Sequence, residues 1–519
     1  MVDNSQQRLG VWHIATDHPD EVAVLESPDG RWTYGELAAR AHQLVHTFRA
    51  LGVPSDGVVA VIAPNGLLPV LVSLACNEGG FTLMLVNSYL TQPEVTAIFE
   101  RAEPHLLIVH EQHAAVLDGP LGTRIRSLTR VFGVGGVAGA DDLDALASDH
   151  PTTEPPARRT GGMLTYSSGS TGLPKGISRP PSDIDPTISA RRAAVFGQAF
   201  DFRPFDGPHL VSTGMYHGGS NSFYMGALNV GHALVIMPRF DAGTMLELIE
   251  RHRVRSAYMV PTQFHRLLQL PEDVRTGYDV SNLHSVVHSA APCPMTVKQA
   301  MFDWWGPVIW ETYGGMEGAA TIAKPRRWLE KPGTVGRAVR GVRIAILDDD
   351  GNELGPNEVG YIYYETQLGF RYHRDDALTE QAHRGSRFTI GDIGHVDDDG
   401  YLFVSDRAKD MIISGGVNIF PAEIEGVLLG HPAVGDAAVV GIPDDDWGEQ
   451  VLAVIELRDG IELSDTLTSD LVEHCTSRLA AYKRPRRFEF RRGLPRNDAG
   501  KLYKRTIRDE YWTDAARSI

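Results

Sequence analysis

The sequence predicts an α/β protein, in which a large N-terminal domain with two helix-flanked sheets and a β-barrel-like subdomain precedes a small, mobile α+β domain. Strands and helices alternate up to about residue 310, short strands and turns follow after Gly333, and a new strand–helix pattern begins after Asp410. Alternation of the first kind is typical of parallel sheets covered by helices. The 519 residues exceed what one hydrophobic core supports, so several structural units are expected.

The first units establish this alternation. A helix that ends at Gly52 is followed by a buried strand at 58–62, a helix at 67–76 and a strand at 82–86. Later units repeat the order, with helices predicted at 191–202 and 242–252 and strands at 210–212, 233–237, 257–260, 285–288 and 308–310. Short strands at 342–347 and 360–365 then predict the β-rich subdomain, and Pro421 opens a helix of the last unit.

The segment 164–177 reads Leu-Thr-Tyr-Ser-Ser-Gly-Ser-Thr-Gly-Leu-Pro-Lys-Gly-Ile and predicts a loop that binds phosphate. Glycines let the backbone curl around an anion, while hydroxyl and N–H groups donate to its oxygens and a lysine adds positive charge. The residues concerned are Ser167, Ser168, Gly169, Ser170, Thr171, Gly172 and Lys175. An ordinary Gly/Ser turn is the alternative. Pro174 and Gly176 flank the lysine, so the segment is not a Walker A loop.

Two further clusters follow predicted strands, where α/β sheets commonly hold ligands. The first is Tyr216-His217-Gly218-Gly219-Ser220, in which the glycines leave room beside the histidine. The second runs from Tyr313 through Gly314, Gly315 and Met316 to Glu317. Tyr313 can stack on a purine and Glu317 can hold a divalent cation bound to phosphates. A structural histidine and a solvated acid are the alternatives.

Charged residues mark the later part of the chain. Asp392 and Arg407 flank a hairpin whose turn is Asp397-Asp398-Asp399-Gly400, and they can bind ribose or remain surface charges. A Ser-Gly-Gly segment contains Gly415 and Gly416. Lys501 follows Gly500 in a predicted loop, where a solvated lysine is the alternative.

Composition excludes several classes of protein. The net charge of −17 disfavours a general nucleic-acid binder, although a mononucleotide needs only a local patch of donors. Three widely spaced cysteines predict neither a disulfide framework nor a metal site. The first residues have no features of a signal peptide, and no apolar run is long enough to span a bilayer, so a cytoplasmic protein is expected.

In their order and spacing, these motifs resemble the adenylate-forming superfamily, which includes acyl-CoA synthetases, adenylation domains of peptide synthetases and luciferases. The resemblance extends from about Thr33 to Lys501 and is nearest to acyl-CoA synthetases. It implies that a carboxylate attacks the α-phosphate of ATP to give an acyl-adenylate and pyrophosphate, before a nucleophile displaces AMP. Positioning and charge stabilisation dominate such chemistry.

The resemblance also implies a role for each matching residue. Segment 167–175 would hold the β- and γ-phosphates, Thr171 and Glu317 would hold Mg²⁺, and Asp392 and Arg407 would bind ribose. Adenine would lie between Tyr313 and Ala291-Pro292, close to Gly314. Lys501 would act in adenylation, with Glu317 and His217 as the other catalytic residues.

The domain organisation implied by the resemblance is an adenylation core at 1–408 and a C-terminal domain at 409–519 that turns about a hinge at Lys409. This turn would exchange Lys501 for the Gly415-Gly416 loop, which lines the path of coenzyme A. The apolar acyl pocket would contain Tyr216, His217, Gly218, Ser220, Val260, Phe264, Gly315 and Met316, and suits a fatty, aromatic or alicyclic acid. The substrates expected are that acid, ATP and coenzyme A.

This chain departs from the family pattern at Met316, where Thr or Ser is usual, and at Ala499, where Thr is common. The acceptor is left open, since an amine or a carrier-protein thiol can replace coenzyme A. A catalytically idle nucleotide-binding or interaction protein is a third hypothesis, against which Lys501 and Glu317 argue. The sequence is also compatible with a homodimer.

Overall fold

Four sheets form the framework of the chain in the residues that the computed structural model describes, which are 8–167, 175–318, 320–366, 370–415, 417–444, 446–496 and 502–512. The first elements are α1 (Val11–Asp17), β1 (Val22–Glu26), β2 (Trp32–Thr33), α2 (Tyr34–Ala50), β3 (Val58–Ile62), α3 (Leu67–Gly79), β4 (Thr82–Leu85), α4 (Gln92–Ala102), β5 (Leu106–His110), α5 (Gly119–Leu128), β6 (Arg130–Val134), β7 (Asp141–Asp142), α6 (Leu143–Ser148) and β8 (Gly162–Ser167).

The middle of the chain continues the alternation. Its elements are β9 (Lys175–Arg179), α7 (Pro186–Ala199), β10 (His209–Val211), α8 (Gly218–Val230), β11 (Leu234–Ile236), α9 (Ala242–His252), β12 (Ser256–Met259), α10 (Pro261–Leu268), α11 (Glu272–Thr276), β13 (Ser285–His288), α12 (Met295–Trp305), β14 (Ile309–Gly314), β15 (Ala320–Ala323), α13 (Pro325–Glu330) and β16 (Arg337–Ala338). The helix predicted at 191–202 begins earlier, because Asp185 caps it by accepting from the Thr187 N–H at 2.7 Å and Pro186 occupies its first position.

Short strands and a second α/β unit complete the chain. The β-rich part contains β17 (Val342–Leu347), β18 (Gly360–Thr366), β19 (Arg371–Tyr372), α14 (Asp376–Ala382), β20 (His383–Arg384), β21 (Arg387–Phe388), β22 (Asp392–Val396) and β23 (Leu402–Arg407). The C-terminal part contains β24 (Ile412–Ser414), β25 (Val417–Ile419), α15 (Pro421–Leu429), β26 (Val434–Asp444), β27 (Gly448–Leu457), α16 (Asp465–Thr476), β28 (Arg487–Phe490) and α17 (Lys504–Asp509).

The two large sheets confirm the predicted parallel architecture. Among the described strands, one sheet has the order β16-β15-β14-β13-β12-β10-β11-β1-β2 and the other has the order β19-β9-β8-β4-β3-β5-β6-β7. Their central pairs are parallel, whereas β9 and β19 form an antiparallel edge next to β8. Parallel strands bring their carboxyl ends to one side of a sheet, so the predicted site segments after β10, β13 and β14 lie on the same side of one sheet. The predicted phosphate loop follows β8 of the other sheet.

A buried core joins the two sheets. Helices α3 and α8 contribute Val70, Leu74, Phe223 and Ala227 to this core. Asn65 links the sheets across it, because its amide donates to the carbonyls of Thr213 and Met237 at 3.0 Å and its oxygen accepts from the Met215 N–H at 2.8 Å. These bonds fix the segment that leads to Tyr216 and His217.

The smaller sheets correspond to the predicted β-rich subdomain and C-terminal unit. In the described residues, β17, β18 and β20–β23 pair antiparallel, while β24–β28 form a mixed sheet packed against α15 and α16. None of the helices within the described ranges combines the length and apolarity that a membrane crossing requires. Cys76, Cys293 and Cys475, which all lie in those ranges, are free thiols.

Candidate active site

The phosphate-binding loop predicted from the sequence joins two paired strands. Ser167 and Lys175 are the last pair of the antiparallel β8–β9 ladder, so both ends of the loop are fixed next to each other. Ser168, Gly169, Ser170, Thr171 and Gly172 lie outside the described residues. The Lys175 ammonium lies 5.7 Å from the centre of the Tyr372 ring, on the neighbouring strand β19. Lys175, where the chain leaves the loop, therefore lies beside Tyr372.

Asp392 and Arg407 lie opposite each other at the open end of the β22–β23 hairpin. The Arg407 Nε is 3.4 Å from the Asp392 Oδ1, and the Tyr313 hydroxyl donates to the other carboxylate oxygen at 2.5 Å. Burial, Tyr364 and Asp392 together raise the pKa of Tyr313 well above its usual value, so its hydroxyl remains a donor at neutral pH. The hairpin turn and β14 thus bring three predicted nucleotide-binding residues into direct contact.

Glu317 is held by a residue that the sequence did not single out. The Tyr372 hydroxyl donates to its Oε1 at 3.2 Å. Burial, followed by the nearby Glu317 carboxylate, raises the pKa of Tyr372, which keeps this phenol protonated. The only sequence signal was a Phe-Arg-Tyr run before α14, and it does not indicate that Tyr372 pairs with Ile177 next to the phosphate loop.

Arg179 is a second contact that sequence reasoning missed. Its NH2 group donates to the main-chain oxygen of Met316 at 2.9 Å. Burial lowers the pKa of Arg179, and the neighbouring Glu317 opposes this effect. The residue lies only four positions beyond Lys175, but its partner is 137 positions further along the chain.

The proposed adenine segment follows β13. Ala290 has a φ of +75°, a conformation that is uncommon for a residue with a side chain, and it precedes Ala291 and the exposed Pro292. Backbone strain of this kind is concentrated at functional sites. Ala291, which follows Ala290, is half-buried, and Pro292 is exposed.

A buried ion pair lies behind this segment. Lys298 of α12 donates to Glu311 of β14 at 2.5 Å, and the two residues are 1% and 9% exposed. His288 is fully buried beside them, and burial followed by the Lys298 charge lowers its pKa well below the usual value. Because a buried charge needs a partner, this pair constrains the position of β14, whose last two residues are Tyr313 and Gly314.

The predicted acyl-pocket residues lie around the start of α8. Tyr216 and His217 have ring centres 4.4 Å apart, and a small cavity here is lined by Leu83, Leu85, Met163, Thr165, Tyr216, Gly218 and Asn221. A Cβ atom on Gly218 would lie 2.7 Å from the Met316 Sδ, so the glycine allows this approach. Gly315 precedes Met316 in the same turn. Burial lowers the pKa of His217 to about 4, so its imidazole is neutral at physiological pH.

Three of the predicted pocket residues have other surroundings. Ser220 is buried on α8 and its hydroxyl accepts from the Thr213 hydroxyl at 2.9 Å. Val260 is 7% exposed at the start of α10. Phe264 is fully buried in the core, with ring contacts to His288 at 5.4 Å and Trp305 at 6.2 Å. These are the surroundings of a core residue, and the assignment of Phe264 to the pocket stays a prediction.

The structure describes two of the predicted functional residues in the C-terminal part, Lys409 and Gly415. Gly415 has a φ of +56° and faces the Trp447 ring closely, which favours glycine there. Lys409 is exposed and its carbonyl accepts from Arg508 at 3.3 Å. Gly416 and Lys501 lie outside the described residues. Arg496 and Leu502 form an antiparallel bridge, so the segment that carries Lys501 begins and ends at one place.

Two matches to family models cover most of the chain. Residues 11–371 match the model described as AMP-binding enzyme, and residues 423–501 match that of the AMP-binding enzyme C-terminal domain. The long-chain-fatty-acid–CoA ligase FadD13 of Mycobacterium tuberculosis (strain ATCC 25618 / H37Rv) is 32% identical over 96% of this chain and 97% of its own.

Two further similarities extend over nearly the whole chain. The fatty acid–[acyl-carrier-protein] ligase ScoC of Streptomyces coeruleorubidus is 29% identical over 97% of this chain and 96% of its own. The crystal structure of the anthranilate CoA ligase AuaEII in complex with anthranoyl-AMP superposes with a TM-score of 0.85 at 25% identity, covering 98% of both chains.

Proposed function

This chain belongs to the AMP-binding enzyme family, and we propose how its residues divide the work of an AMP-forming acyl-CoA ligase. In the first half-reaction the acid and ATP give an acyl-adenylate and pyrophosphate, and in the second the thiol of coenzyme A displaces AMP. The observation that carries the proposed division is the contact of Tyr313 and Arg407 with Asp392. It brings residues from three predicted motifs together at the open end of the β22–β23 hairpin.

Asp392 accepts the two ribose hydroxyls in this proposal. Its carboxylate is 6% exposed, and the Tyr313 hydroxyl and the Arg407 guanidinium keep it oriented. Hydrogen bonds to a charged acceptor are stronger than neutral ones. Adenine then lies against the Tyr313 ring on one side and Ala291-Pro292 on the other.

The phosphate loop and Lys501 act on the triphosphate. Segment 167–175 donates to the β- and γ-phosphate oxygens, which become pyrophosphate when the carboxylate attacks the α-phosphate. Lys501 offsets the charge of the carboxylate and the α-phosphate as they approach. His217 stays neutral because burial lowers its pKa to about 4, so it borders the carboxylate without adding charge.

The residues near Glu317 fit a magnesium ion that is bound mainly by ATP. Mg²⁺ prefers oxygen ligands and is usually bound by one or two carboxylates together with substrate phosphates. Glu317 offers such a carboxylate, oriented by the Tyr372 hydroxyl at 3.2 Å, and the Thr171 hydroxyl is a second candidate ligand. Mg²⁺ held there would neutralise charge that develops on the phosphate oxygens.

The acid is proposed to be apolar and to end near Met316. Leu83, Leu85, Met163 and Tyr216 line most of the cavity beside Gly218, with Thr165 and Asn221 as its polar members, and Met316 lies close to this glycine. Such a lining favours a fatty, aromatic or alicyclic acid. FadD13 and AuaEII, whose names give a long-chain fatty acid and anthranilate as substrates, support two of these classes.

A panel of acids tests the acid and the acceptor together. Release of pyrophosphate and AMP would be measured with short, long, aromatic and steroidal acids, with and without coenzyme A. We expect pyrophosphate release with at least one apolar acid and acyl-CoA formation when coenzyme A is added. AMP release that does not depend on coenzyme A would contradict this assignment of the acceptor.

A carrier-protein thiol is the second candidate acceptor, and the similarity to ScoC favours it. The Gly415 loop beside Trp447 would then guide a phosphopantetheine arm in place of coenzyme A. Transfer to a purified carrier protein at a rate above that to coenzyme A would establish this alternative.

The location and movement of the protein are proposals as well. A cytoplasmic enzyme is consistent with three free cysteines and with ATP and coenzyme A as substrates. We propose a boundary between domains at residues 408 and 409, with Lys409 as the hinge about which the C-terminal domain turns. A homodimer stays a prediction that sedimentation of the purified protein would test.

A further inference from the structure

Arg179 and Tyr372 reach the same turn from two paired strands. Arg179 lies in β9, which leaves the phosphate loop, and Tyr372 lies in β19, where it pairs with Ile177 of β9. Residues two apart in a strand point to the same face, as do residues opposite each other in a ladder. Lys175, Ile177, Arg179 and Tyr372 therefore all face the site.

The two side chains bind consecutive residues of this turn. The Arg179 guanidinium donates to the Met316 carbonyl at 2.9 Å, and the Tyr372 hydroxyl donates to the Glu317 carboxylate at 3.2 Å. One bond fixes the main chain and the other fixes the side chain. Ile177, Tyr364 and Tyr372 form an apolar cluster against which Tyr313 and Met316 pack, so the turn has a firm base.

We propose that Arg179 is a positioning residue for the metal-binding carboxylate Glu317, and that Tyr372 completes this function. The proposal rests on the role of Glu317 in the proposed function. The positive charge of Arg179 also offsets the negative charge of the Glu317 carboxylate before Mg²⁺ binds.

The methionine at position 316 explains why this chain needs the hydrogen bond from Arg179. Thr or Ser, which is usual at this position in the family, has a hydroxyl that can form a hydrogen bond within the turn. The thioether of methionine is at best a weak acceptor. The Arg179 bond to the main-chain carbonyl holds the turn whatever side chain occupies position 316. Arginine suits this task because its fork of donors stays charged.

Nucleotide binding without an acid present tests the proposal. Calorimetry would measure ATP binding with Mg²⁺ and with EDTA for the wild type and for Arg179→Met, Arg179→Lys and Tyr372→Phe. We expect Arg179→Met to weaken binding of Mg²⁺–ATP about tenfold or more, as loss of a charged hydrogen bond does, and to change binding in EDTA by less than about threefold. Arg179→Lys should restore part of the affinity for Mg²⁺–ATP. Tyr372→Phe should raise about threefold the Mg²⁺ concentration that half-maximal ATP binding requires.

Arg371→Met is the matched control. Arg371 neighbours Tyr372, but its side chain is 73% exposed and pairs with Asp376 at 2.9 Å, so its loss should leave nucleotide binding unchanged. In a Glu317→Gln background, Arg179→Met should have less than about twofold further effect, because residues that act together are not additive.

Two results would overturn the inference. The first is equal weakening of ATP binding by Arg179→Met with Mg²⁺ and with EDTA, which would indicate direct contact with phosphate. The second is a lower melting temperature with unchanged Mg²⁺–ATP affinity, which would indicate a purely structural role. If the wild type itself failed to bind Mg²⁺–ATP, the proposed function would be refuted instead.

Discussion

Replacement of Asp392 by Asn should separate ATP affinity from folding stability. The substitution keeps the size of the side chain but removes the charge that faces the Tyr313 hydroxyl at 2.5 Å and the Arg407 Nε at 3.4 Å. One carboxylate oxygen is replaced by an amide NH2 group, so one of the two proposed ribose hydrogen bonds loses its acceptor. A hydrogen bond to a charged group contributes about 1.5–3 kcal/mol, which corresponds to a rise in the dissociation constant of roughly 10- to 150-fold.

Folding should change much less. Arg407 is 41% exposed, so water screens its pairing with Asp392 and the loss should be about 1 kcal/mol or below. Asp397→Asn is the matched control, because Asp397 sits at the other end of the same hairpin and pairs with Lys331 at 2.5 Å. Calorimetric titration with ATP and urea unfolding would measure both quantities. Unchanged ATP affinity in Asp392→Asn, or equal loss in the two variants, would refute the ribose role.

Three further predictions concern other parts of the molecule. Lys501→Ala should lower pyrophosphate release by about a hundredfold or more but leave transfer from a chemically prepared acyl-adenylate to coenzyme A within about threefold, and equal loss of both steps would contradict the proposed role. Met316→Ala should widen the pocket beside Gly218 and raise kcat/KM for larger acids relative to smaller ones, by a factor that corresponds to about 1–3 kcal/mol. An unchanged ratio of kcat/KM between larger and smaller acids would exclude Met316 from the pocket. The fully buried His209, whose pKa burial and His232 lower to about 3, should make stability fall as pH falls below about 6.5, because the unfolded chain then binds the extra proton. Between pH 7.5 and 5.5 its contribution should fall by about 1.4 kcal/mol, and a His209→Asn variant with the same pH dependence in urea unfolding would disprove this origin.

The proximity of Asp392 and Arg407 could be predicted because the two residues are linked by local structure. The turn Asp397-Asp398-Asp399-Gly400 specifies a hairpin, and the hairpin brings its two ends together. Asp392 and Arg407 are a register pair for this reason. The sequence could likewise locate α9 at 242–252, since Asp241 caps it and its apolar residues follow the helical period.

The contacts around Glu317 could not be predicted in this way. Tyr372 lies 55 positions from Glu317, and Arg179 lies 137 positions from Met316. Both contacts depend on the pairing of β9 with the two-residue strand β19, which is too short to give a periodic pattern. Long-range pairing of short strands has no local signal.

Phe264 and α7 illustrate two other limits. A buried aromatic residue on a helix fits a core and a pocket equally well, and the sequence does not indicate the ring contacts of Phe264 with His288 and Trp305. The start of α7 had a signal in Asp185-Pro186, a cap followed by proline, but the apolar period begins later and placed the start at residue 191. Capping residues deserve more weight than periodicity at helix ends.

We propose that this chain joins an acid to AMP at the site built around Asp392, Glu317 and the phosphate loop. Exchange of radioactive pyrophosphate into ATP in the presence of an apolar acid measures this step directly and requires no acceptor. The proposed site predicts acid-dependent exchange in the wild type that Lys501→Ala abolishes. Absence of exchange over fatty, aromatic and alicyclic acids, or exchange that survives in Lys501→Ala, would contradict it.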